Sequence, residues 1–221
     1  IGSGGDVGYL LNPTPGSRVS DKYRGAANSD KYAGVVADTR FSRDRGFYYE
    51  PFAVTVTCDT PGATIRYTTD GSEPTTTHGT TGGGPITINT TTCLRAIAYK
   101  SGWLPTNIDV QSYIFPEDVV TLSQAEVLAR GYPTTIAGYP GDYGMDPEIY
   151  NNPAYREDMV EALLAIPTLS VSTDKDNIFA SSSGIYANPT RTGLSWERHV
   201  SAEFFDVNGT LEEWKANCGM R

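Results

Sequence analysis

The chain has 221 residues, of which 17 are basic and 26 acidic, so its net charge at pH 7 is -9. This length accommodates two small domains, and the acidic balance argues against a nucleic acid partner, because an acidic surface repels phosphate groups. No apolar run approaches the roughly 18 residues that a membrane span requires, and a 19% share of charged residues beside abundant Thr, Ser and Gly is typical of an extracellular β-rich protein.

Residues 1–45 are predicted to be irregular, apart from a short apolar strand, Tyr9-Leu10-Leu11, that is followed by the breakers Asn12 and Pro13. This segment resembles the closing strand and tail of a lamin-tail-like β-domain. Because no signal peptide is recognisable, we expect the chain to begin inside a longer precursor. The strand needs a sheet edge, either in its own module or in a second copy, where head-to-tail exchange would give a homo-oligomer or filament. A disordered linker is the alternative.

Within residues 46–115, the run Ala53–Cys58 alternates apolar and hydroxyl side chains, the pattern of a half-buried strand. The predicted strands are 53–58, 64–69, 86–89, 92–99 and 110–115. Pro61-Gly62 and Asp70-Gly71 supply turns, because glycine accepts positive φ angles. Short strands at this spacing predict a mainly β fold built on an Ig-like β-sandwich, which is a spacer or binding unit rather than a catalytic sheet.

The same stretch resembles the fibronectin-III-associated domain, also known as the chitobiase C-terminal type module. The residues that carry the resemblance are Thr60–Thr75 and Leu94–Thr106. It implies an Ig-like sandwich appended to secreted, multi-domain bacterial proteins. Members of this family are accessory units, so the resemblance implies no catalytic residue, and the partners would be other domains of the parent protein.

Residues 116–166 are predicted to form a helical connector. Ser123 and Glu126 have the spacing of a capping box for a helix over 124–130 that ends at Gly131. A second helix is predicted from Pro153 to about Ala165, where apolar residues recur at helical spacing. Residues 139–147, between the two helices, are predicted to be a loop.

Residues 167–221 return to a period of two, which predicts strands at 169–173 and 200–204 and a returning strand within 211–220. Asn208-Gly209 is a strong hairpin signal. We expect a partial α+β domain that is truncated at Arg221.

This last segment resembles the opening of the CotH-type spore-coat kinase domain. The resemblance is carried by Ile166–Asp174, Gly184–Pro189 and Trp196–Phe205, and 217–221 is similar to the start of that family's next strand. It implies that the phosphotransfer and metal-binding acids lie beyond Arg221. We therefore expect no activity from this chain alone, although the parent protein would be a secreted CotH-like kinase.

Two pairs of side chains are candidate binding sites. Trp103, beside Tyr99, could offer an aromatic face to a sugar ring of a polysaccharide, but aromatic residues at the edge of a module also close its core. Asp174 and Asp176 provide the carboxylate ligands that calcium prefers. A solvated turn is the alternative, since the glycine and distal glutamate of a calcium loop are missing. No other cofactor is expected.

The cysteines and sequons give further candidates. Cys58 and Cys93 lie on two predicted strands and are either bridged or two small buried side chains, which their Cα separation would decide. Cys218 is left as the odd thiol. Asn89 and Asn208 begin sequons for glycosylation.

These observations favour a non-catalytic structural or adhesive portion of a secreted or cell-surface bacterial protein. No Ser-His-Asp arrangement or zinc spacing is recognisable, and Gly82-Gly83-Gly84 lacks the Lys-Ser/Thr of a phosphate loop. The first alternative is the N-terminal part of a CotH-like kinase. The second is a carbohydrate-binding accessory module that would bind chitin or cellulose.

Overall fold

The computed structural model describes residues 9–10, 31–208 and 211–221. The fold is mostly β, as the sequence predicts. The strands are β1 (Tyr9–Leu10), β2 (Lys31–Tyr32), β3 (Thr39–Phe41), β4 (Gly46–Phe47), β5 (Phe52–Val54), β6 (Val56–Cys58), β7 (Thr64–Thr68), β8 (Thr80–Thr81), β9 (Ile86–Ile88), β10 (Thr92–Tyr99), β11 (Asp109–Ile114), β12 (Thr135–Ile136), β13 (Tyr139–Pro140), β14 (Thr168–Ser172), β15 (Arg198–Phe205) and β16 (Trp214–Met220). The helices are α1 (Pro116–Val120), α2 (Gln124–Ala129), α3 (Pro147–Tyr150), α4 (Pro153–Arg156), α5 (Met159–Leu164), α6 (Lys175–Phe179) and a 3-10 helix at Leu194–Trp196.

Strands β3 to β11 build the predicted Ig-like sandwich. One layer has the strand order β4-β11-β10-β7-β8. In the other layer, β5 and β6 are two halves of one strand, interrupted at Thr55, that pair with β9 and β3 respectively. Alternate side chains of the two layers point inwards, so that Val54, Val56, Leu94 and Tyr113 meet in the core.

The predicted turns are confirmed. Gly62 and Gly71 have φ angles of 74° and 80°, which a residue with a Cβ rarely adopts. The Asp70 carboxylate accepts hydrogen bonds from the Ser72 N–H at 3.0 Å and the Ser72 hydroxyl at 2.6 Å. Although burial works against ionisation, these bonds hold the pKa of Asp70 below its ordinary value.

The sandwich begins before residue 46, the boundary that the sequence predicts. β3 pairs with β6, and the backbone of Val36 donates to Leu104 O at 2.9 Å. Three residues of strand and one bridge are too short to produce a periodic pattern, which explains why this segment looked irregular.

The first strand of the chain has a partner within the chain. β1 pairs antiparallel with β2, with Tyr9 opposite Tyr32. Tyr9–Leu10 therefore does not pair with an edge of the chain's own sandwich, and Leu11 lies outside the described residues. Exchange of this strand with a second copy stays a prediction.

The connector is partly as predicted. α2 has the predicted capping box, in which Ser123 Oγ accepts from Glu126 N at 3.3 Å and Glu126 accepts from Ser123 N at 2.9 Å. The second predicted helix begins at Pro153 but is divided into α4 and α5 at 157–158, where Asp158 makes no side-chain capping hydrogen bond. The predicted loop at 139–147 contains β13, and α1 and α3 were not anticipated.

The C-terminal strands form an antiparallel sheet of order β14-β15-β16, which confirms the predicted strands and the returning arm. Asn208 follows β15, but Gly209 of the predicted hairpin turn lies outside the described residues. Directly opposed residues of antiparallel strands share a face. One face, here called the apolar face, carries Leu169, Val171, Val200, Ala202, Phe204, Trp214, Ala216, Cys218 and Met220, with Arg198 opposite Met220. The other, the serine face, carries Ser170, Ser172, Ser201, Glu203, Lys215 and Asn217, together with Thr168, His199, Phe205 and Gly219.

The burial of β14 is the reverse of what an amphipathic strand usually shows, although Val200 and Ala202 of the central strand β15 are buried on the same face as Leu169. Leu169 and Val171 are 56% and 42% exposed, whereas Ser172 is buried. The reason is that the serine face packs against the sandwich. No helix in the described parts of the chain is both long and apolar enough to cross a membrane.

Candidate functional site: the polar junction

The best-built polar site lies where the serine face of the C-terminal sheet meets the outer face of β10 and β11. We call it the polar junction. Its members, from the sandwich and then the C-terminal part, are Glu73, Cys93, Arg95, Ser112, Ser170, Ser172, Asp174 and Glu203. The outer face of such a sandwich layer is ordinarily solvated, so its burial here is a property of this pairing.

Arg95 is the first anchor of the junction and is fully buried. Its Nη1 donates to Gly71 O at 2.8 Å and lies 3.7 Å from Asp174 Oδ1, while its Nη2 lies 3.9 Å from Glu73 Oε2. Asp174 Oδ1 also accepts from the backbone N–H of Glu73 at 2.6 Å. One carboxylate therefore joins α6 to both a side chain and a backbone group of the sandwich.

Glu203 is the second anchor and is 1% exposed. Ser112 Oγ donates to Glu203 Oε2 at 2.5 Å and lies 2.8 Å from Ser170 Oγ, so Ser170 is left to donate to Ser112. Glu203 Oε1 has no hydrogen-bond partner among the described residues. Burial raises the pKa of Glu203, and this outweighs the opposing effects of the Ser112 hydrogen bond and of nearby Arg45.

The rim of the junction involves β16. Asn217 Nδ2 donates to Ile108 O at 3.3 Å, and Lys215 Nζ lies 3.7 Å from Asp109 Oδ1. Asp109 in turn accepts from Thr39 Oγ1 at 2.5 Å. All three strands of the C-terminal sheet thus contact the sandwich through polar groups.

A cavity of about 240 Å³ adjoins the junction, lined in part by Cys93, Ser112, Ser170 and Leu163. Small-molecule sites usually measure roughly 300–1,000 Å³. The cavity is therefore better described as a packing gap between the sandwich, α5 and β14.

The predicted aromatic pair has two different sets of neighbours. Trp103 is half-buried, with Lys100 Nζ 4.5 Å from its ring centroid, and its six-membered ring packs so closely on Gly34 that a Cβ there would lie 2.7 Å from the indole. The Tyr99 hydroxyl accepts from Arg66 Nε and donates to Thr76 O, both at 3.3 Å. The structure thus shows no shared platform, and sugar binding by either ring stays a prediction.

The two residues of the predicted calcium site, Asp174 and Asp176, also have different surroundings. Asp174 precedes α6 and belongs to the polar junction, where a guanidinium group already faces it. Asp176 is exposed in the first turn of α6. Across the described residues, no three His, Cys, Asp or Glu side chains converge as a metal site would require. Calcium binding stays a prediction, and the contacts of Asp174 compete with it.

Cys58 and Cys93 are not bridged in the structure. Cys58 Sγ donates to Ala37 O at 3.0 Å, and Cys93 Sγ donates to Ser172 Oγ at 2.9 Å. The two thiols therefore point at different partners, and of the two alternatives the unbridged pair is the one present.

The reason is their position along the sandwich. Cys93 lies at the start of β10, an eight-residue strand that is roughly 26 Å long. Lys100, just past its other end, reaches Pro61 O, three residues after Cys58. The two cysteines thus lie towards opposite ends of the sandwich.

The thiols should differ strongly in reactivity. Burial raises the pKa of Cys93 to about 11, so the reactive thiolate is scarce at pH 8, whereas Cys218 is exposed. We expect timed alkylation of the native protein, followed by peptide mass spectrometry, to label Cys218 first and Cys93 only after urea is added. Equal labelling rates of Cys93 and Cys218 in the native protein would contradict the burial of the junction.

The two sequon asparagines are both exposed. Thr91, the hydroxyl-bearing third residue of the Asn89 sequon, is held by Asp118, whose carboxylate accepts from Thr91 N at 2.7 Å. Asn208 Nδ2 donates to Ala165 O at 3.4 Å, and its Thr210 lies outside the described residues. Glycosylation at either position stays a prediction.

The anchors Arg95 and Glu203 were not among the predicted site residues. Their signal was nevertheless present, because each is a single charge inside an otherwise uncharged stretch of its strand, Cys93–Ala98 and Val200–Phe205 respectively. A charge in such a place is almost never buried without a partner.

Comparison with known proteins found a similarity for the central part of the chain. A family model described as the chitobiase/beta-hexosaminidase C-terminal domain matches residues 44–110, less than a third of the chain. Searches of curated proteins and of solved structures gave no match. The resemblances of 166–221 to a CotH-type domain and of the N-terminal segment to a lamin-tail domain stay predictions. The sandwich, from β4 to the start of β11, is similar to the chitobiase/beta-hexosaminidase C-terminal domain.

Proposed function

We propose that this chain is a non-catalytic structural module of a modular bacterial protein, secreted or held at the cell surface, in which the sandwich fixes the orientation of the C-terminal sheet. The polar junction carries this proposal. Its ion pairs and hydrogen bonds join two faces that would each be solvated if the units moved independently. An adhesive role would use the surfaces that this fixed arrangement presents.

Polar contacts suit this role because they depend on geometry more strongly than apolar contacts do. A buried carboxylate or guanidinium that loses its partner pays a desolvation cost, so slippage of the two faces is penalised. Ser112 illustrates this, since one hydroxyl serves both Ser170 and Glu203. The junction therefore favours one relative position of the sandwich and the C-terminal sheet over positions that are slightly shifted.

The test uses tryptophan fluorescence from each unit during urea unfolding. Trp103 reports on the sandwich when Trp196 and Trp214 are replaced by phenylalanine, and Trp214 reports on the C-terminal sheet when the other two are replaced. A coupled module should give coincident transitions. Two separate midpoints, with the sheet unfolding while the sandwich persists, would contradict the proposal.

Carbohydrate binding is the second candidate, and the family match favours it, because that family is named after chitobiase and beta-hexosaminidase. The residue to test is Trp103, which keeps part of its ring exposed beside Lys100. We expect Trp103→Ala to weaken retention of the chain on chitin or cellulose. Trp196→Ala, which changes a tryptophan outside the sandwich, is the matched control. Equal retention of the two variants and the unmodified chain would remove Trp103 from any such site.

A further inference from the structure

Two complementary buried atoms beside the polar junction lack a partner. Among the described residues, the buried side-chain nitrogen and oxygen atoms without a hydrogen-bond partner belong to Arg45, Arg95 and Glu203. Arg95 already faces the carboxylates of Asp174 and Glu73. Arg45 Nε and Glu203 Oε1 remain, a donor with a permanent positive charge and an acceptor on a titratable group. A buried polar atom without a partner is costly, so a contact between these two atoms would remove two costs at once.

Arg45 places its guanidinium group beside Glu203. It directly precedes β4, and its backbone N–H donates to Gln111 Oε1 on β11 at 2.6 Å. Its guanidinium carbon lies 5.8 Å from the centroid of the Phe205 ring. Phe205 is two residues after Glu203 in β15, so both side chains lie on the serine face. The backbone of Arg45 is thus held in place, while its long side chain ends next to the buried carboxyl group.

We propose that Arg45 and Glu203 form a pH-dependent latch between the sandwich and the C-terminal sheet. When Glu203 is ionised, Arg45 Nε donates to Glu203 Oε1, and when Glu203 is protonated the guanidinium group rests on the Phe205 ring instead. A charge-assisted hydrogen bond is stronger than a cation–π contact at a partly exposed site, so the ionisation of Glu203 determines which partner Arg45 takes. The inference rests on the proposed role of the junction and adds regulation by pH to it.

The other cation near Glu203 is already engaged. Lys215 of β16 lies 3.7 Å from the Asp109 carboxylate of β11. Both Arg45 and Lys215 favour the charged form of Glu203, and the effect of Arg45 is the larger one. Arg45 is therefore the cation that is free to pair with this carboxylate.

The remaining groups that surround Glu203 do not compete for its charge. Cys93 of β10 and Tyr113 of β11 are titratable, but burial raises the pKa of both, so they stay neutral where a carboxyl group titrates. From β11 and β14, Ser112 and Ser170 contribute hydroxyl groups, which carry no charge. The titration of Glu203 is therefore the event that changes the charge at this site.

The pair has a defined effect on stability. Burial raises the pKa of Glu203, and Arg45 acts against this shift. Without Arg45 the folded state would hold the Glu203 proton still more tightly, so more stability would be lost as pH rises through the folded pKa. Below the unfolded pKa, Glu203 is protonated in both states, and Arg45 contributes only its packing.

The first test follows both partners by NMR in the full chain. A carbon-13 label at the carboxyl group of glutamate reports the ionisation of Glu203, and Glu203→Gln assigns the signal by its absence. The Hε–Nε signal of Arg45 should shift with the same pH midpoint as Glu203, because the latch closes on ionisation. Arg45→Gln should move the Glu203 midpoint to higher pH, and further than the matched control Lys215→Gln moves it.

Arg45→Lys tests the hydrogen bond separately from the charge. Lysine keeps the positive charge but has no Nε donor in a planar fork, so it should restore the Glu203 midpoint only in part. Three results would each overturn the latch: an Arg45 signal that does not follow the Glu203 midpoint, no titration step for Glu203 in the folded protein, or an unchanged midpoint in Arg45→Gln.

The second test separates the latch from the junction. Urea unfolding of Arg45→Gln, Glu203→Gln and the double variant should give non-additive losses above the Glu203 midpoint and additive losses below it. Additive losses at every pH, with coincident fluorescence transitions of the two units, would overturn the latch and leave the junction intact. Fluorescence transitions that separate at every pH would show that the proposed junction itself fails, and the latch with it.

Discussion

Arg95→Ala is expected to lower the free energy of unfolding by about 3 kcal/mol, the largest loss among single changes at the junction. The arginine is fully buried and donates to Gly71 O, so the alanine leaves both a cavity and an orphaned carbonyl. It also leaves Asp174 without its cation. Because Asp174 and Glu73 are partly exposed, water can solvate their carboxylates when the arginine is removed. The loss of stability is therefore smaller than for a fully buried ion pair.

Arg40→Ala is the matched control for that experiment. Arg40 pairs with Asp59 at 2.7 Å, but both side chains are mostly exposed, and such pairs contribute about 0–1 kcal/mol. Urea unfolding of both variants measures the difference. Equal losses for Arg95→Ala and Arg40→Ala would mean that the junction does not stabilise the fold.

Glu203→Gln is expected to raise the free energy of unfolding near pH 8, because burial disfavours the charged carboxylate that the glutamine replaces. Glutamine retains an oxygen that accepts from Ser112 but carries no charge to desolvate. Its amide nitrogen occupies a place where Glu203 has an oxygen without a hydrogen-bond partner among the described residues, which limits the gain.

The direction of the pKa shift of Glu203 determines how its contribution to stability changes with pH. Burial raises the pKa of Glu203 above its ordinary value of 4.5, so the folded state holds this proton more tightly than the unfolded state. The contribution of Glu203 to stability is therefore fully present below the unfolded pKa and lost as pH rises through the folded pKa. The advantage of Glu203→Gln should grow from acid to neutral pH.

Glu126→Gln is the control, because the pKa of Glu126 is shifted in the opposite direction from that of Glu203. Hydrogen bonds from the Ser123 side chain and backbone lower the pKa of Glu126, so its contribution is present above the unfolded pKa and lost as pH falls through the folded pKa. Urea midpoints across the pH range should diverge for the two variants. A flat difference between Glu203→Gln and the unmodified chain would contradict the burial of that carboxyl.

The strands of the sandwich were predictable because each one shows its alternation and its turn residues within a short stretch of sequence. The Ala53–Cys58 alternation and the turn glycines Gly62 and Gly71 reflect constraints that each segment meets by itself. The capping box of Ser123 and Glu126 was predictable for the same reason.

The polar junction could not be predicted in this way, because it depends on which faces meet. Alternation in Thr168–Ser172 shows that two faces exist, but not that the serine face is buried and the leucine face exposed. Asp174 was noticed as a carboxylate, yet its partner Arg95 lies 79 residues away in the chain, and no local pattern joins them. Long-range contacts of this kind follow from the docking of two units.

The most direct test of a fixed junction is the distance distribution between spin labels on the two units. Cysteines introduced at the exposed positions Thr87 in β9 and Leu169 in β14, with the native cysteines replaced by serine, carry the labels. Pulsed electron resonance on labelled chain diluted with unlabelled chain should give one narrow distribution, which Arg95→Ala broadens. A broad distribution for the chain with Arg95 intact would show that the sandwich and the sheet move independently and would contradict the fixed junction.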